Sequence, residues 1–214
     1  MKDKNLILVG GGGHCKSVID VAESAGFHIL GILDKPTEQG KNVFGYRIIG
    51  TDDDMVKYIN IASFIVTVGQ INSPALRMKL HQMIENVGGK FATIIASTAY
   101  VSRYASIGEG TVIMHNAFIN ADAKVGKGCI INTFANIEHE VELGNFCHVS
   151  TGSIINGGSK IGCGVFIGSH STVFQGVRIC LDGGMNTLIS AASVVKNDIV
   201  SQGVYWGNPA IKVK

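Results

Sequence analysis

Proline is scarce in this chain, with 3 residues among 214, whereas glycine is abundant at 28. Disordered segments are usually rich in proline and charge, but only 16% of the residues are charged here and 46% are hydrophobic. The composition therefore predicts a folded chain with a sizeable core and many tight corners. Its length leaves room for one large or two small domains.

Clusters of basic residues are also missing. Lys and Arg total 18 against 16 Asp and Glu, which gives a net charge of +2, and no run of Lys and Arg stands out. Nucleic acids and anionic membrane surfaces attract basic clusters, so neither is an expected partner. The apolar run near the N-terminus, residues 6–9, is too short for a signal peptide or a membrane span. We therefore expect a cytoplasmic protein.

No CxxC pair occurs among the cysteines, and their number, five, is odd. We interpret them as small apolar side chains with reduced thiols. The alternative is that Cys147 acts as a nucleophile that forms an acyl thioester.

What the chain does have is a repeat of six residues. From Ile95 to Ile179 every sixth residue is Ile, Leu or Val, and from Ala105 onward the residue two positions before each is small or β-branched. A period of six fits neither a helix, at about 3.6, nor a strand, at about 2, so each hexad is expected to form one short strand and one corner. Gly or Asn often follows the aliphatic residue, and we expect it to adopt the unusual backbone angles of the corner. Three sides would close one coil, and stacked coils would bury the aliphatic side chains in ladders.

The segment before the repeat has the pattern of an α/β domain. Strands are predicted over residues 5–9, 27–33 and 62–68, with a helix over residues 15–25 after the first strand. A second helix is expected to begin with Ser73 as N-cap and Pro74 as its first residue. It should bury one apolar face, formed by Leu76, Leu80, Met83 and Ile84. The boundary with the repeat is expected near residue 90.

Four consecutive glycines, residues 10–13, lie at the predicted start of the first helix, where free N–H groups and the helix dipole favour an anion. The G-x-G-x-x-G fingerprint of dinucleotide sites fails because its third glycine falls on Cys15. We therefore expect a nucleotide diphosphate that carries another group, rather than NAD(P). In open α/β sheets, ligands lie beyond the carboxyl ends of the strands. The candidate substrate-binding residues at that edge are Gly12, Gly13, His14, Asp34, Lys35, Gly69 and Gln70.

His139 has the most distinctive surroundings of the seven histidines, since it lies in the segment Ile137-Glu138-His139-Glu140. An imidazole, with an ordinary pKa of about 6.5, can take a proton at neutral pH, and a neighbouring carboxylate increases its basicity. Acyl transfer to an amine needs such a base, because an ammonium group must lose a proton before or during attack. In a regular strand Glu140 would point away from His139, so only a corner would bring the two together.

These features together resemble the family of sialic acid O-acetyltransferases and nucleotide-4-amino-sugar N-acetyltransferases, whose hexads form a left-handed parallel β-helix. The resemblance rests on the hexads, the glycine loop ending in His14, the strand ending in Asp34, the Ile-Glu-His-Glu segment and His148-Val149-Ser150. It implies a Rossmann-like α/β nucleotide-sugar-binding domain over residues 1–90 and a β-helix acetyltransferase domain over residues 91–214. It also implies acetyl-CoA as co-substrate, no metal, and a homotrimer with active sites between subunits.

The resemblance further implies direct acetyl transfer to the 4-amino group of a nucleotide-linked 4-amino-4,6-dideoxysugar, a precursor of a surface glycan or of protein glycosylation. His139 would be the general base and Glu140 its partner. The implied coenzyme contacts are His148, Gly157, Ser169 and Ser190, with the Gly157 N–H donating to the thioester oxygen. The chain departs from the family at Lys35, where UDP-sugar enzymes often have a second acid, and in a longer segment over residues 180–186.

Three alternatives stay open at this point. The first is an O-acetyltransferase that acts on sialic acid or another sugar. The second is a zinc enzyme like the gamma-type carbonic anhydrases, although the four solenoid histidines are 24, 9 and 22 residues apart and lack the short spacing of such a site. The third is an inactive nucleotide-sugar sensor or scaffold, against which the intact His139-Glu140 pair argues.

Overall fold

The structure is a computed structural model that describes residues 4–214. An α/β part comes first in the chain and a triangular solenoid follows it. Residues 1–3, which the first predicted domain includes, lie outside the described residues.

The N-terminal part is a five-stranded sheet with a helix on each face. Its strands are β1 (Asn5–Val9), β2 (His28–Leu33), β3 (Asn42–Val43), β4 (Tyr46–Gly50) and β5 (Ser63–Val66), in the spatial order β3-β4-β2-β1-β5. Its helices are α1 (Gly13–Ser24) and α2 (Ala75–Asn86), and 3₁₀ helices span Pro36–Glu38 and Asp52–Lys57. All strands are parallel except β3, which pairs antiparallel with β4. The strand expected over residues 62–68 is therefore the fifth and not the third, because the hairpin of β3 and β4 was not predicted.

The buried face of helix α2 matches the predicted one in part, since Leu80 and Ile84 are buried and Met83 packs, partly buried, against the same cluster. Pro74, not Ser73, is its N-cap residue, and Leu76 is exposed to solvent. The buried residues of the helix are Arg77, Leu80, His81 and Ile84. Their spacing of three, four and seven residues is that of one helical face. Arg77 and His81 are polar, so a search for an apolar stripe finds only Leu80 and Ile84 of these four residues.

Residues 94–206 coil into a left-handed β-helix whose three sheets form the faces of a prism. Face 1 contains Ile94–Ile95, Val112–Ile113, Ile130–Ile131, His148–Val149, Phe166–Ile167, Leu188–Ile189 and Val204–Trp206, with Ile211–Lys212 added antiparallel at its edge. Face 2 contains Tyr100–Val101, Phe118–Ile119, Asn136–Ile137, Ile154–Ile155, Thr172–Val173 and Val194–Val195. Face 3 contains Ser106–Ile107, Lys124–Val125, Glu142–Leu143, Lys160–Ile161 and Arg178–Ile179. The predicted β-helix is therefore confirmed.

The corners of the prism correct one expectation. The backbone enters the left-handed region three residues after the aliphatic residue, not one. The corner residues Asn116, Asp122, Phe134, Glu140, Phe146 and His170 all have φ between 55° and 58°. The glycines that directly follow the aliphatic residue serve close packing between coils instead. A Cβ at Gly108, for example, would lie 2.5 Å from the backbone of Gly126 in the next coil.

The interior of the prism holds the aliphatic ladder. Ile113, Ile131 and Val149 lie in register on three successive strands of face 1, and all are fully buried. Ile95 begins the same ladder but is 37% exposed, because no coil lies beneath it.

Replacing Ile131 with alanine is expected to lower the free energy of unfolding by roughly 2–5 kcal/mol, since the lost burial is accompanied by a cavity. Urea denaturation followed by circular dichroism measures this change. Ile95→Ala is the matched control, and its smaller expected loss follows from its position at the open end of the ladder. Equal losses in the two variants would contradict the ladder as the source of stability.

The N-terminal part packs on face 1. Its sheet and α1 share one buried apolar cluster with Ile94, Val112, Met114 and Ile130 of the solenoid. In a triangular prism the corner between faces 2 and 3 lies opposite face 1, and therefore on the far side of the prism from the N-terminal part. The domain boundary near residue 90 falls between the end of α2 and Ile94 and stays a prediction. Within residues 4–214, no helix has the length and hydrophobicity needed to cross a bilayer.

Candidate active site

The corner between faces 2 and 3 carries the His139 and Glu140 pair. Glu140 has a φ of 58°, and this left-handed turn interrupts the alternation of a strand. Both side chains consequently meet, with His139 Nδ1 3.0 Å from Glu140 Oε2. Because an ionised carboxylate only accepts hydrogen bonds, Nδ1 carries the hydrogen and Nε2 keeps its lone pair. The two side chains are 53% and 65% exposed, so the imidazole faces outward from the prism.

Gly157 occupies the same corner position as His139 in the next coil. A Cβ there would lie 2.6 Å from both Cε1 and Nε2 of His139, so glycine makes room for the imidazole. At Thr133, a comparable corner position, the side chain of the preceding Asn accepts the backbone N–H. Asn156 instead turns its amide to a neighbouring backbone carbonyl. The Gly157 N–H therefore has no protein acceptor among residues 4–214 and is available beside the imidazole.

Glu138 adds a fixed negative charge at this corner. Its carboxylate accepts hydrogen bonds from Asn120 Nδ2 at 2.7 Å and from Asn136 Nδ2 at 3.1 Å. The hydrogen bond from Asn120 is the largest cause that lowers the pKa of Glu138 below its ordinary value, so this group is ionised at neutral pH. Glu138 therefore places a second carboxylate next to His139 in the sequence. The sequence pattern alone predicts no role for Glu138.

The glycine loop joins β1 to α1 at the carboxyl edge of the sheet. Gly12 is the N-cap of α1, and no side chain caps the helix. A Cβ added at Gly12 or at Gly13 would meet no other atom within 4 Å. The Cys15 N–H donates to the Gly12 carbonyl, whereas the Gly13 and His14 N–H groups have no acceptor among residues 4–214 and are available to a phosphate. Asp34 accepts the Gly11 N–H at Oδ2 and the Lys35 N–H at Oδ1, both at 2.7 Å. Its carboxylate thus fixes the loop, while the exposed Lys35 side chain is free.

His14 follows the glycine loop, and Gly69 lies against it, since a Cβ at Gly69 would be 3.5 Å from His14 Cβ. Burial, together with the nearby charges of Arg77 and His148, lowers the pKa of His14 to about 3. The imidazole is therefore neutral at physiological pH. Its Nε2 is buried without a hydrogen-bond partner among residues 4–214, which leaves it available to a ligand group.

Two predicted ligand contacts, Gln70 and His148, are buried between the N-terminal part and the prism. The Gln70 side chain is 3% exposed, and its Nε2 donates to the Phe146 carbonyl at 2.9 Å and lies 3.3 Å from the Gly164 carbonyl, while its Oε1 has no hydrogen-bond partner among residues 4–214. His148 is 7% exposed, and its Nδ1 donates to the Gln70 carbonyl at 2.6 Å. Burial lowers the pKa of His148 to about 4. Both residues therefore contribute hydrogen bonds to the seam between the N-terminal part and the prism, and their ligand contacts stay predictions.

The other predicted coenzyme residues lie at two different corners. Gly157 lies with His139 between faces 2 and 3. Ser169 follows Phe166–Ile167 at the corner between faces 1 and 2, where its Oγ is 2.9 Å from Ser150 Oγ. Ser190 follows Leu188–Ile189 on the same side of the prism. Within one chain, Ser169 and Ser190 therefore lie at a different corner of the prism from Gly157.

Sequence reasoning missed Arg77, which is fully buried and forms no ion pair within residues 4–214. Its Nη1 donates to the Val66 and Val68 carbonyls at 3.1 and 2.6 Å, and its Nη2 donates to the Gly128 carbonyl at 2.8 Å. Burial lowers the pKa of Arg77 to about 10, so the guanidinium stays charged at neutral pH. Its helical spacing from Leu80, on the buried face of α2, was the only available signal.

Cys147 shows no features of a catalytic nucleophile. All five cysteines are free thiols, and Cys147 is fully buried inside the prism. Burial raises the pKa of Cys147 well above its usual range, which disfavours the thiolate that nucleophilic catalysis requires. In the described part of the chain, no three His, Cys, Asp or Glu side chains are grouped so that they could hold a metal ion.

Family comparisons match both parts of the chain. Residues 5–84 match the PglD N-terminal domain, and residues 104–139 match the bacterial transferase hexapeptide family with six repeats. The fold and the corner site therefore define a hexapeptide-repeat acyltransferase with an N-terminal α/β domain.

Solved structures narrow this class. PerB from Caulobacter crescentus, in complex with CoA and GDP-perosamine, is 30% identical over 98% of this chain and 97% of that one, with a TM-score of 0.89. The acetyltransferase domain of PglB from Neisseria gonorrhoeae, in complex with acetyl coenzyme A, is 28% identical over 99% of this chain and 100% of that one, with a TM-score of 0.90. The chain belongs to this family of nucleotide-4-amino-sugar N-acetyltransferases.

A viral protein shares part of the sequence. A stretch of 105 residues is 35% identical to the uncharacterized protein L142 of Acanthamoeba polyphaga mimivirus. The match covers 49% of this chain but only 20% of the viral protein. It therefore adds no information about activity.

Proposed function

We propose that this chain transfers the acetyl group of acetyl-CoA to the 4-amino group of a nucleotide-linked 4-amino-4,6-dideoxysugar. The observation that carries the proposal is the outward-facing His139, oriented by Glu140 at 3.0 Å and lying against Gly157. The base, its carboxylate partner and a free N–H donor are the groups that acyl transfer to an amine requires.

The proposed reaction is direct transfer. His139 Nε2 takes a proton from the ammonium group of the sugar, and the freed nitrogen attacks the thioester carbonyl. The oxygen of the tetrahedral intermediate accepts the Gly157 N–H. The C–S bond then breaks, the extra proton on the attacking nitrogen passes to the sulfur, and CoA leaves as the thiol. His139 afterwards releases its own proton to solvent. Glu140 and Glu138 stabilise the imidazolium that forms, because both carboxylates adjoin it in sequence and Glu140 accepts its Nδ1 hydrogen.

The nucleotide diphosphate is assigned to the glycine loop. Gly12 and Gly13 leave the N-terminus of α1 open to phosphate oxygens, and the buried Nε2 of His14 is available to the sugar. The Asp34 carboxylate accepts two backbone N–H groups of this region and still has free oxygen lone pairs, which we assign to the nucleoside. Lys35 is the next residue in the chain, and we assign its side chain to the same group.

The location of these groups supports a homotrimer with active sites between subunits. The nucleotide loop lies over face 1, whereas His139 lies at the opposite corner, so the acceptor and the base come from different chains in this proposal. Ser169 and Ser190 would then line the coenzyme path on one subunit and Gly157 on its neighbour. Exposed apolar side chains on face 2, namely Tyr100, Phe118 and Ile154, are suited to contact with another copy. We place the protein in the cytoplasm, where its five free thiols would stay reduced.

The test is to incubate the protein and acetyl-CoA with UDP-, dTDP- and GDP-linked 4-amino-4,6-dideoxysugars and, separately, with sialic acid, and to follow thiol release. We expect release with one or more of the nucleotide-linked amino sugars, and mass spectrometry should find one acetyl group on nitrogen. Release only with sialic acid would indicate the O-acetyltransferase alternative. Sedimentation equilibrium measures the assembly, and a monomer that is active at the same specific rate would contradict the intersubunit site.

A further inference from the structure

Two side chains of the N-terminal part bind to one line of carbonyl groups on the prism. Arg77 Nη2 donates to Gly128, and Gln70 Nε2 donates to Phe146 and lies within reach of Gly164. These three acceptors are 18 residues apart, so they occupy the same position in three successive coils, at the corner between faces 3 and 1. The N-terminal part is therefore held at a fixed height along the prism axis.

The same residues also fix the chain that leaves β5. Arg77 Nη1 donates to the Val66 and Val68 carbonyls at the end of that strand. The Gln70 carbonyl accepts the Nδ1 hydrogen of His148 at 2.6 Å. The segment from Val66 to Gln70 is thus tied to the prism through backbone and side chain together.

This tied segment lies directly against the nucleotide loop. A Cβ at Gly10 would lie 2.6 Å from Val68 Cγ2, and a Cβ at Gly69 would lie 3.5 Å from His14 Cβ. Any shift of Val68 and Gly69 along the prism would therefore move Gly10 and His14 with them, because close-packed groups leave no empty space into which one could move alone.

Stability alone is a poor explanation for Arg77. A guanidinium that is removed from water and paired only with neutral carbonyls bears a large desolvation penalty, and its Nε has no partner among residues 4–214. An apolar side chain of similar size would fill the space without that penalty. Only an arginine at this position can donate hydrogen bonds from one planar guanidinium both to the carbonyls at the end of β5 and to a carbonyl of the prism.

We propose that Arg77 and Gln70 are positioning residues for the acceptor. They fix the height at which the nucleotide loop of one subunit presents the sugar amine to the corner between faces 2 and 3 of a neighbouring subunit. The inference rests on the proposed function. Neither side chain touches substrate in this proposal. Both act through Val68 and Gly69 on the loop that does. Acyl transfer is sensitive to such placement, because a displacement of about 1 Å can lower the rate by about 10²-fold.

The test uses Arg77→Met and Gln70→Met, which keep the length of the side chain and remove its donors. The matched control is Gln82→Met, on the exposed side of α2. Calorimetry with acetyl-CoA gives the number of intact coenzyme sites, and kcat is expressed per such site. We expect kcat for the nucleotide-linked amino sugar to fall about 10- to 100-fold in both variants, with acetyl-CoA affinity and the affinity for the bare nucleoside diphosphate unchanged. Arg77→Lys should recover part of the loss, since an ammonium group can still donate to two of the carbonyls.

An unchanged kcat per coenzyme site in both methionine variants would overturn the inference while leaving the proposed function intact. If the number of coenzyme sites falls at the same time, the role of the two side chains is purely structural. If the wild-type chain turns over no nucleotide-linked amino sugar, the proposed function and this inference fail together.

Discussion

Replacing His139 with alanine is expected to lower kcat by about 10²- to 10⁴-fold, or about 3–5 kcal/mol of activation free energy, while acetyl-CoA affinity stays nearly intact. The reason is that the imidazole is the proton acceptor in the proposed reaction and lies on the prism surface, 53% exposed, where its loss leaves no cavity. Thiol release measures kcat, and calorimetry measures coenzyme affinity. Glu140→Gln should cause a smaller loss, since the amide oxygen still accepts the Nδ1 hydrogen but the negative charge is gone.

His28→Asn is the control for this series. His28 is another exposed histidine, and it begins β2, at the opposite edge of the sheet from the nucleotide loop. Its turnover is expected to equal that of the wild type. Near-normal turnover of His139→Ala, or an equal loss in His28→Asn, would remove His139 from the role of general base.

The solenoid could be predicted in detail because its repeat leaves few choices. A period of six in the aliphatic residues, from Val101 to Ile179, specifies short strands, three faces and an inward ladder at once. What the pattern did not specify is which corner residue has positive φ. Phe134, Phe146 and Glu140 take that position, and none of them is a residue type from which a left-handed turn would be inferred.

The candidate site could be predicted only in part, for a physical reason. His139, Glu140 and the glycine loop carry their signal in neighbouring residues along the chain. The seam between the N-terminal part and the prism has no such local signal, because its contacts join residues 50 or more positions apart. Examples are Arg77 with Gly128 and Gln70 with Phe146. A buried Arg on a helix has the same sequence signature as an exposed one. Gln70 was therefore assigned to substrate, and Arg77 was assigned no role.

Acid is expected to unfold the protein through the same seam. Three histidines, His14, His81 and His148, are held neutral there. Burial, with Arg77 nearby, lowers the pKa of His14 and of His81 to about 3 each, and burial lowers that of His148 to about 4. His81 stacks on Phe91, and neither of its ring nitrogens has a partner among residues 4–214.

The direction of the pH effect follows from these lowered pKa values. In the unfolded chain the three histidines titrate near the ordinary pKa of 6.5, so below that pH the unfolded state binds more protons than the folded state. Stability is complete above pH 6.5 and is lost as the pH falls toward the folded values. Three protons correspond to roughly 4 kcal/mol per pH unit, so a protein with about 8 kcal/mol of stability would reach its midpoint at about pH 4.5.

Circular dichroism across pH 3–7 measures this transition, and the variant His81→Leu isolates one of the three titrating groups. The leucine removes a protonation site and two buried nitrogens that lack partners, so it is expected to move the acid midpoint to lower pH. The number of protons taken up in the transition should fall from about three to about two, because the slope of stability against pH counts the groups whose pKa differs between the two states. His28→Leu is the matched control, since His28 is exposed and should leave both quantities unchanged. A wild-type midpoint below about pH 3, or an unchanged proton uptake in His81→Leu, would show that the seam histidines do not limit acid stability.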